Sequence, residues 1–208
     1  MRVFDQVFQA KRGSLSVRII SGSAKGRKLR QFKGQHIRPT ADRVREAIFS
    51  SLLSRLGSFE NLTVLDLFAG TGALSLEALS RGASRAVLVD PSAQSAEIIT
   101  ENIQTCRMDD RATLFKMPAS NFIAKPAPSG PFDLIFLDPP YNKNLIVPTL
   151  HKIVQNGILA KEGLICIESA REDSIPDDLP GLMLLSRREY GSTAVSFYSL
   201  STSMEDHL

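Results

Sequence analysis

The chain has 208 residues, 43% of them hydrophobic and 23% charged, with a net charge of +3, a balance that supports a packed core and excludes a disordered or fibrous chain. No stretch reaches the roughly 18 uncharged apolar residues that cross a bilayer, and the opening segment, with Arg2, Asp5, Lys11 and Arg12 and no long apolar run, does not read as a secretory leader. Cys106 and Cys166 are far apart, with no CxxC and no nearby histidine pair, which excludes a disulfide scaffold and leaves no metal-ligand spacing.

Charge is distributed unevenly. Residues 1–60 carry 13 Lys and Arg against four Asp and Glu, and the rest of the chain 12 against 18. A basic head on an acidic body points to a polyanionic partner. In chain order, residues 1–17 show no period. Val17 to Ile20 and Lys25 to Leu29 are β-prone pieces around Ser21-Gly22, which predicts a hairpin rich in basic side chains. Arg38-Pro39-Thr40 breaks the pattern and offers Thr40 as a helix N-cap. Val44, Ile48 and Leu52 then recur at four-residue steps, one apolar face of a helix reaching about Leu56.

After Asn61 the texture changes. Leu62 to Phe68 is a nearly continuous apolar run, as expected of a strand buried on both faces. It ends at Gly70-Thr71-Gly72, and Ala73 to Arg81 reads as a helix closed by Gly82. Arg85 to Asp90 is a second strand and Ser92 to Thr105 a second helix. Ala112 to Lys116 gives a weaker third strand, with a helical turn at Asn121 to Ile123. Phe132 to Leu137 is the fourth strand, stopped by Asp138-Pro139-Pro140-Tyr141. A helix around Pro148 to Gln155 leads to a fifth strand, Leu164 to Glu168. Strands alternating with helices predict a doubly wound, mostly parallel sheet, and the closing β-prone runs, Gly181 to Arg187 and Ala194 to Leu200, predict an antiparallel edge hairpin.

Ligands of such sheets sit beyond the carboxyl ends of the strands. Phe68-Ala69-Gly70-Thr71-Gly72 occupies that place after the first strand, and Asp90 ends the second, where a carboxylate can accept ribose hydroxyls; together they suggest an adenosine-type cofactor. Ser75 stands where a third glycine of the dinucleotide pattern would be. Asp66, a carboxylate in an apolar strand, needs partners: loop amides, a cationic amino group on a cofactor, or the loop it braces.

Asp138-Pro139-Pro140-Tyr141 is the sharpest signal. Two prolines fix φ and remove two N–H donors, giving a stiff corner that presents carbonyl acceptors. The Asp138 side chain and the Pro139 carbonyl can each accept a hydrogen from an exocyclic NH₂, aiming the nitrogen lone pair at an electrophile, and Tyr141 can stack on the base that carries the amine. His36, His151 and His207 share no metal-ligand spacing, and no nucleophile elbow or Ser–His–Asp set is present.

Arg18-Ile19-Ile20-Ser21-Gly22, Lys25-Gly26-Arg27-Lys28-Leu29, Arg38-Pro39-Thr40-Ala41-Asp42-Arg43-Val44-Arg45-Glu46, Leu65 to Leu74 and Asp138 to Tyr141 together resemble the RsmD family, small-subunit ribosomal RNA guanine-N2 methyltransferases that use S-adenosylmethionine. The resemblance spans about residues 18–200. It implies an α/β fold of the class I S-adenosylmethionine-dependent methyltransferase type: a Rossmann-like, doubly wound seven-stranded sheet with an antiparallel edge hairpin, preceded by a basic hairpin and helix. The implied division is a lead-in over 1–17, the hairpin extension over 18–37, the methyltransferase domain over 38–200 and a polar tail over 201–208. Position by position, Asp66, Phe68, Ala69, Gly70, Thr71 and Gly72 would form the methionine side of the cofactor pocket, and Asp90 with Pro91 would hold the ribose. Asp90 stands where the family commonly has the longer Glu. Pro118 stands where it often has Asp or Asn, so adenine falls to the backbone of Ala119 or Ser120. Asp138, Pro139, Pro140 and Tyr141 would receive the guanine. Lys25, Arg27, Lys28, Arg30, Arg38, Thr40 and Arg43 would face the RNA. The implied partner is 16S rRNA or a small-subunit particle, met by a cytoplasmic monomer without metal. The competing classes are a DNA adenine-N6 methyltransferase, a nicotinamide-dependent dehydrogenase and a catalytically silent rRNA-binding assembly factor. The first lacks room here for a target-recognition domain; the second is disfavoured by the missing third glycine and the proline corner.

Overall fold

A computed structural model of the protein describes residues 17–32, 39–124, 130–140, 144–173 and 175–201. Its elements, in chain order, are α1 (Pro39–Leu56), β1 (Thr63–Asp66), α2 (Ala73–Ser80), β2 (Arg85–Val89), α3 (Ala93–Cys106), β3 (Ala112–Phe115), α4 (Ala119–Ile123), β4 (Phe132–Leu137), α5 (Ile146–Gln155), β5 (Leu159–Ala170), β6 (Asp178–Leu179), β7 (Leu182–Tyr190) and β8 (Thr193–Leu200). The strands form one sheet in the order β3-β2-β1-β4-β5-β8-β7-β6. β1 to β5 run parallel, whereas β8 pairs antiparallel with both β5 and β7. Seven strands are those the sequence predicts; the eighth, β6, is a two-residue addition at the edge beside β7.

Alternation along the strands splits the core into two layers. One face carries Val64, Leu88, Leu134, Phe136, Leu164 and Cys166 and packs under α1 and α2 with Phe49, Leu52, Leu76 and Leu79. The other carries Leu65, Val87, Ile135 and Ile165 and packs under α4 and α5 with Phe122, Leu150 and Ile153. Asp133 fixes the entry of β1 beside β4, accepting from the Thr63 amide at 2.7 Å and the Thr63 hydroxyl at 2.8 Å.

The basic extension folds as a hairpin closed by one antiparallel bridge, Arg18 with Lys28. The Ile19 amide donates to Arg27 O at 3.0 Å and the Gly26 amide to Ile19 O at 2.9 Å. Ile19, Ala24 and Leu29 anchor it in the core under α1, but its hold on α2 is polar. Glu77, fully buried, accepts from the Ile20 amide at 2.7 Å, the Ser21 amide at 3.0 Å and Arg81 Nε at 2.8 Å. Ser80 donates its hydroxyl to Ser21 O at 2.5 Å and accepts from the Ala24 amide at 2.9 Å. Gly22 is required at the contact: its φ is +83°, and a Cβ there would stand 1.7 Å from Ser80 O.

Two readings need correction. The first helix already includes Pro39, so Thr40 lies in its first turn and is not the N-cap; proline suits a first turn, where its missing N–H is no loss. β5 starts at Leu159, five residues before the apolar run, because the polar stretch Ala160 to Glu162 is carried by the pairing of Leu159 with Phe132, ahead of a register shift.

Candidate active site

The strand order reverses between β1 and β4, and loops from the two carboxyl ends face each other across that switch point. Phe68 to Gly72 follow β1, and Gly72 begins α2 with φ +78°, where a Cβ would come within 3.1 Å of Leu88 Cδ2. Asp90 directly follows β2 and braces this loop. Its Oδ2 accepts from the Gly70 amide at 2.9 Å and its Oδ1 from the Ser92 amide at 2.9 Å, using one lone pair on each oxygen. Pro91 is exposed beside it. After β3, Ala119 and Ser120 are the first residues of α4, where helix geometry leaves amides without an intrahelical acceptor.

Asp66, the last residue of β1, is 2% exposed. Its Oδ2 accepts from the Ser75 hydroxyl at 3.0 Å, and its Oδ1 has no hydrogen-bond partner among the described residues. Burial pushes its pKa up to about 7; the Ser75 hydrogen bond and the Phe68 backbone oppose the shift, and the Asp90 charge adds to it. A buried carboxylate oxygen with no donor is expensive, and the cost is met by protonation, as the raised pKa records, or by a cation bound beside it.

Asp138 and Pro139 leave β4 directly, with Pro139 buried and Pro140 exposed. Asp138 is exposed; protein packed on one side of its carboxyl, followed by the charges of Glu168 and Asp66, pushes its pKa up. Asp66, Asp138 and Glu168 lie on one face of the sheet. Asp66 pairs in register with Phe136, Phe136 with Cys166 and Leu137 with Ile167, so alternation sets Asp138 beside Glu168 and both on the face of Asp66. Cys166, buried in that column, has its thiol pushed well up by burial and by all three carboxylates. Among the described residues no three His, Cys, Asp or Glu converge in a metal-holding arrangement.

The switch point therefore gathers Asp66, the glycine loop, Asp90, Asp138 and Pro139 along one edge. Tyr141 and Arg38 lie outside the described residues. The predicted RNA-facing cations divide. Lys25, Lys28 and Arg43 are exposed, with no side-chain hydrogen bond or ion pair among the described residues. Arg27 donates to Thr105 O, and Arg30 pairs with Glu101 at 2.5 Å.

Three residues of the site region escaped the sequence reading. Ser75 holds Asp66. Asn102, fully buried on α3, donates to Thr71 O at 2.9 Å and Arg30 O at 3.0 Å and accepts from the Arg30 amide at 2.7 Å, tying the glycine loop to the basic extension. Glu168 is the third acid of the column. Each leaves the same trace in sequence, a polar residue inside an apolar stripe.

Residues 17–199 match the family model described as conserved hypothetical protein 95. Ribosomal RNA small subunit methyltransferase D of Escherichia coli K12 is 35% identical over 186 residues, 89% of this chain and 91% of that protein. The chain belongs to the RsmD family. Among solved structures, a conserved hypothetical protein of Streptococcus pyogenes is 36% identical with a TM-score of 0.70, over 76% of this chain and 95% of that one. The precorrin-6y C5,15-methyltransferase of Geobacter metallireducens GS-15, at 16% identity and a TM-score of 0.63 over 84% and 94% of the two chains, shares the fold alone. The architecture is thus the Rossmann-like fold of class I methyltransferases.

Proposed function

We propose that this RsmD-family member transfers a methyl group from S-adenosylmethionine to the exocyclic N2 amine of a guanine in 16S rRNA. The observation that carries the reading is the placement of the Asp138-Pro139 corner, directly after β4, on the face that holds both Asp66 and the basic extension. The name of the Escherichia coli relative supports the substrate class.

The residues fit this cofactor. The unpartnered Oδ1 of buried Asp66 suits the ammonium of its methionine end. The spare lone pairs of Asp90 suit ribose hydroxyls, and the first amides of α4 suit adenine. The buried, under-neutralised carboxyl of Asp66 favours a cationic cofactor and opposes the pyrophosphate of a nicotinamide dinucleotide. When bound, S-adenosylmethionine supplies an electrophilic methyl on a sulfonium centre.

The chain's own contribution is orientation and proton handling. The target base must leave its stack to reach the corner. There the Asp138 carboxylate and the Pro139 carbonyl accept the two amine hydrogens, so the nitrogen lone pair points at the methyl donor, and Tyr141 stacks on the ring. The nitrogen sheds a proton as it gains carbon. A carboxylate whose pKa is raised, as that of Asp138 is, makes a stronger base for it. Arg43, Lys25 and Lys28 meet phosphates, which position the RNA without reading its sequence.

The test is transfer of isotopically labelled methyl groups to unmodified small-subunit particles, naked 16S rRNA and adenine-rich duplex DNA in parallel, with products digested to nucleosides and weighed. Labelled N2-methylguanosine is expected. Label in N6-methyladenine would move the protein to DNA, and rRNA binding without label would make it a silent assembly factor. Asp138→Ala is expected to abolish transfer while leaving cofactor binding largely intact; loss of cofactor binding instead would overturn the role given to Asp138.

A further inference from the structure

Glu168 has no part in the scheme above, yet its position is hard to explain by packing. It ends the apolar run of β5, one residue beyond Ile167, the partner of Leu137 in the last registered pair, which sets it beside Asp138 on the same face. It is half-buried and makes no side-chain hydrogen bond or ion pair among the described residues. The column it joins already contains Asp66, whose buried Oδ1 awaits a donor. A fold gains nothing by setting a second acid next to Asp138, since the charge of Glu168 raises the cost of ionising Asp138. Two neighbouring acceptors do, however, match a particular ligand edge.

Guanine presents adjacent donors, the N1–H and the N2 amine. Adenine offers an amine beside an unprotonated N1, which is an acceptor. We propose that Glu168 is the residue that makes the site specific for guanine: with the N2 amine held at the Asp138 corner, the Glu168 carboxylate accepts the N1–H. This rests on the reading of the site as a guanine-N2 methyltransferase. Against an amine-bearing base whose N1 carries a lone pair, the carboxylate faces a like partner and repels it, so selectivity arises as much from rejection as from attraction.

The probe for this contact is 2-aminopurine, which keeps the N2 amine, replaces N1–H with a lone pair and lacks the O6 carbonyl, a second difference that cancels when the guanine to 2-aminopurine ratio is compared between wild type and variant. Small-subunit particles or rRNA fragments carrying guanine or 2-aminopurine at the target position would be methylated under single-turnover conditions. The wild-type protein and Glu168→Gln would be compared, since a rotatable amide can serve either N1 state. Wild type is expected to favour guanine by about 10- to 100-fold, the usual discrimination of a good base-edge contact. Glu168→Gln should bring the ratio to within about threefold while cofactor Kd and Tm stay near wild type. A purely structural role would lower both substrates together and leave the ratio unchanged, which would overturn the proposal. A wild-type ratio near one would overturn it without any variant. Failure of the wild type to methylate guanine at all would remove the function itself, and the inference with it, whereas efficient but indiscriminate methylation removes the inference alone.

Discussion

Two buried acids, Glu77 and Asp66, lie close in sequence on the same side of the sheet and have opposite fates. Glu77 receives two backbone amides of the extension and the Arg81 guanidinium, so both of its oxygens are occupied. Asp66 receives one hydroxyl, leaves Oδ1 bare and is pushed to a pKa of about 7. Burial of a carboxylate is thus no mark of a site by itself. The unanswered oxygen is the mark, because a structural role would have supplied its donors from within the fold.

Breaking Glu77 should produce the larger effect on stability. Glu77→Ala leaves the Ile20 and Ser21 amides without their acceptor and Arg81 without its counter-ion, and is expected to cost about 3–5 kcal/mol by urea unfolding. Protease should then cut near residues 20–30 before the domain unfolds. A loss under about 1 kcal/mol would mean that Ile19, Ala24 and Leu29 hold the extension unaided.

Asp66→Asn should do the reverse. The folded-state pKa is raised from 3.8 to about 7, so between those values the folded protein binds the extra proton. Its stability therefore falls as pH rises through that window and is level above it. Asparagine avoids this loss at the expense of a buried N–H without an acceptor, for a net gain of about 1–3 kcal/mol above pH 7. Thermal melts of the two proteins from pH 4 to pH 8 should diverge steadily up to pH 7. Cofactor affinity sharpens the contrast. Ionised Asp66 is the form that meets an ammonium, so the wild-type Kd for S-adenosylmethionine should rise about tenfold per pH unit below pH 7 and be flat above it. In Asp66→Asn the affinity should be weak and insensitive to pH over the same range. An unchanged Kd in the variant would show that Oδ1 is not the ammonium site.

The contrast also explains what could be read from the sequence. The strands of the parallel half were visible because both faces are buried, leaving nearly continuous apolar runs such as Phe132 to Leu137, which is broken only by Asp133 and is β4 residue for residue. β7 was read short because an exposed strand next to the edge tolerates Arg188 and Glu189. Asp66, the glycine loop, Asp90 and Asp138 were legible as candidates because polar and glycine residues at strand ends interrupt apolar runs at fixed places. Glu77, Asn102 and Ser75 interrupt apolar stripes too, but apart from the Arg81 partner of Glu77 the groups they bond lie 9 to 72 residues away. Sequence spacing holds no trace of Asn102 meeting both Thr71 and Arg30. Asp90 was assigned to ribose alone because the Gly70 amide, 20 residues away, becomes its neighbour only once the loop turns back on β2.

The smallest effects belong to the platform that Glu77 secures. If its role is to present cations, the cations themselves should matter for RNA and not for folding. Lys25→Ala and Lys28→Ala should each leave Tm unchanged, weaken rRNA binding evenly across sequences and reduce the slope of log K against log salt by about 1. Arg30→Ala should reduce it less, because Arg30 is already paired with Glu101 and must surrender that partner before a phosphate can replace it. Glu101→Ala then frees Arg30 and should strengthen binding at low salt. Binding titrations at four or five salt concentrations separate these cases. Equal slopes for Lys28→Ala and Arg30→Ala would mean that RNA displaces Glu101 at no cost, and that the extension is less committed to its intramolecular contacts than the hold of Glu77 implies.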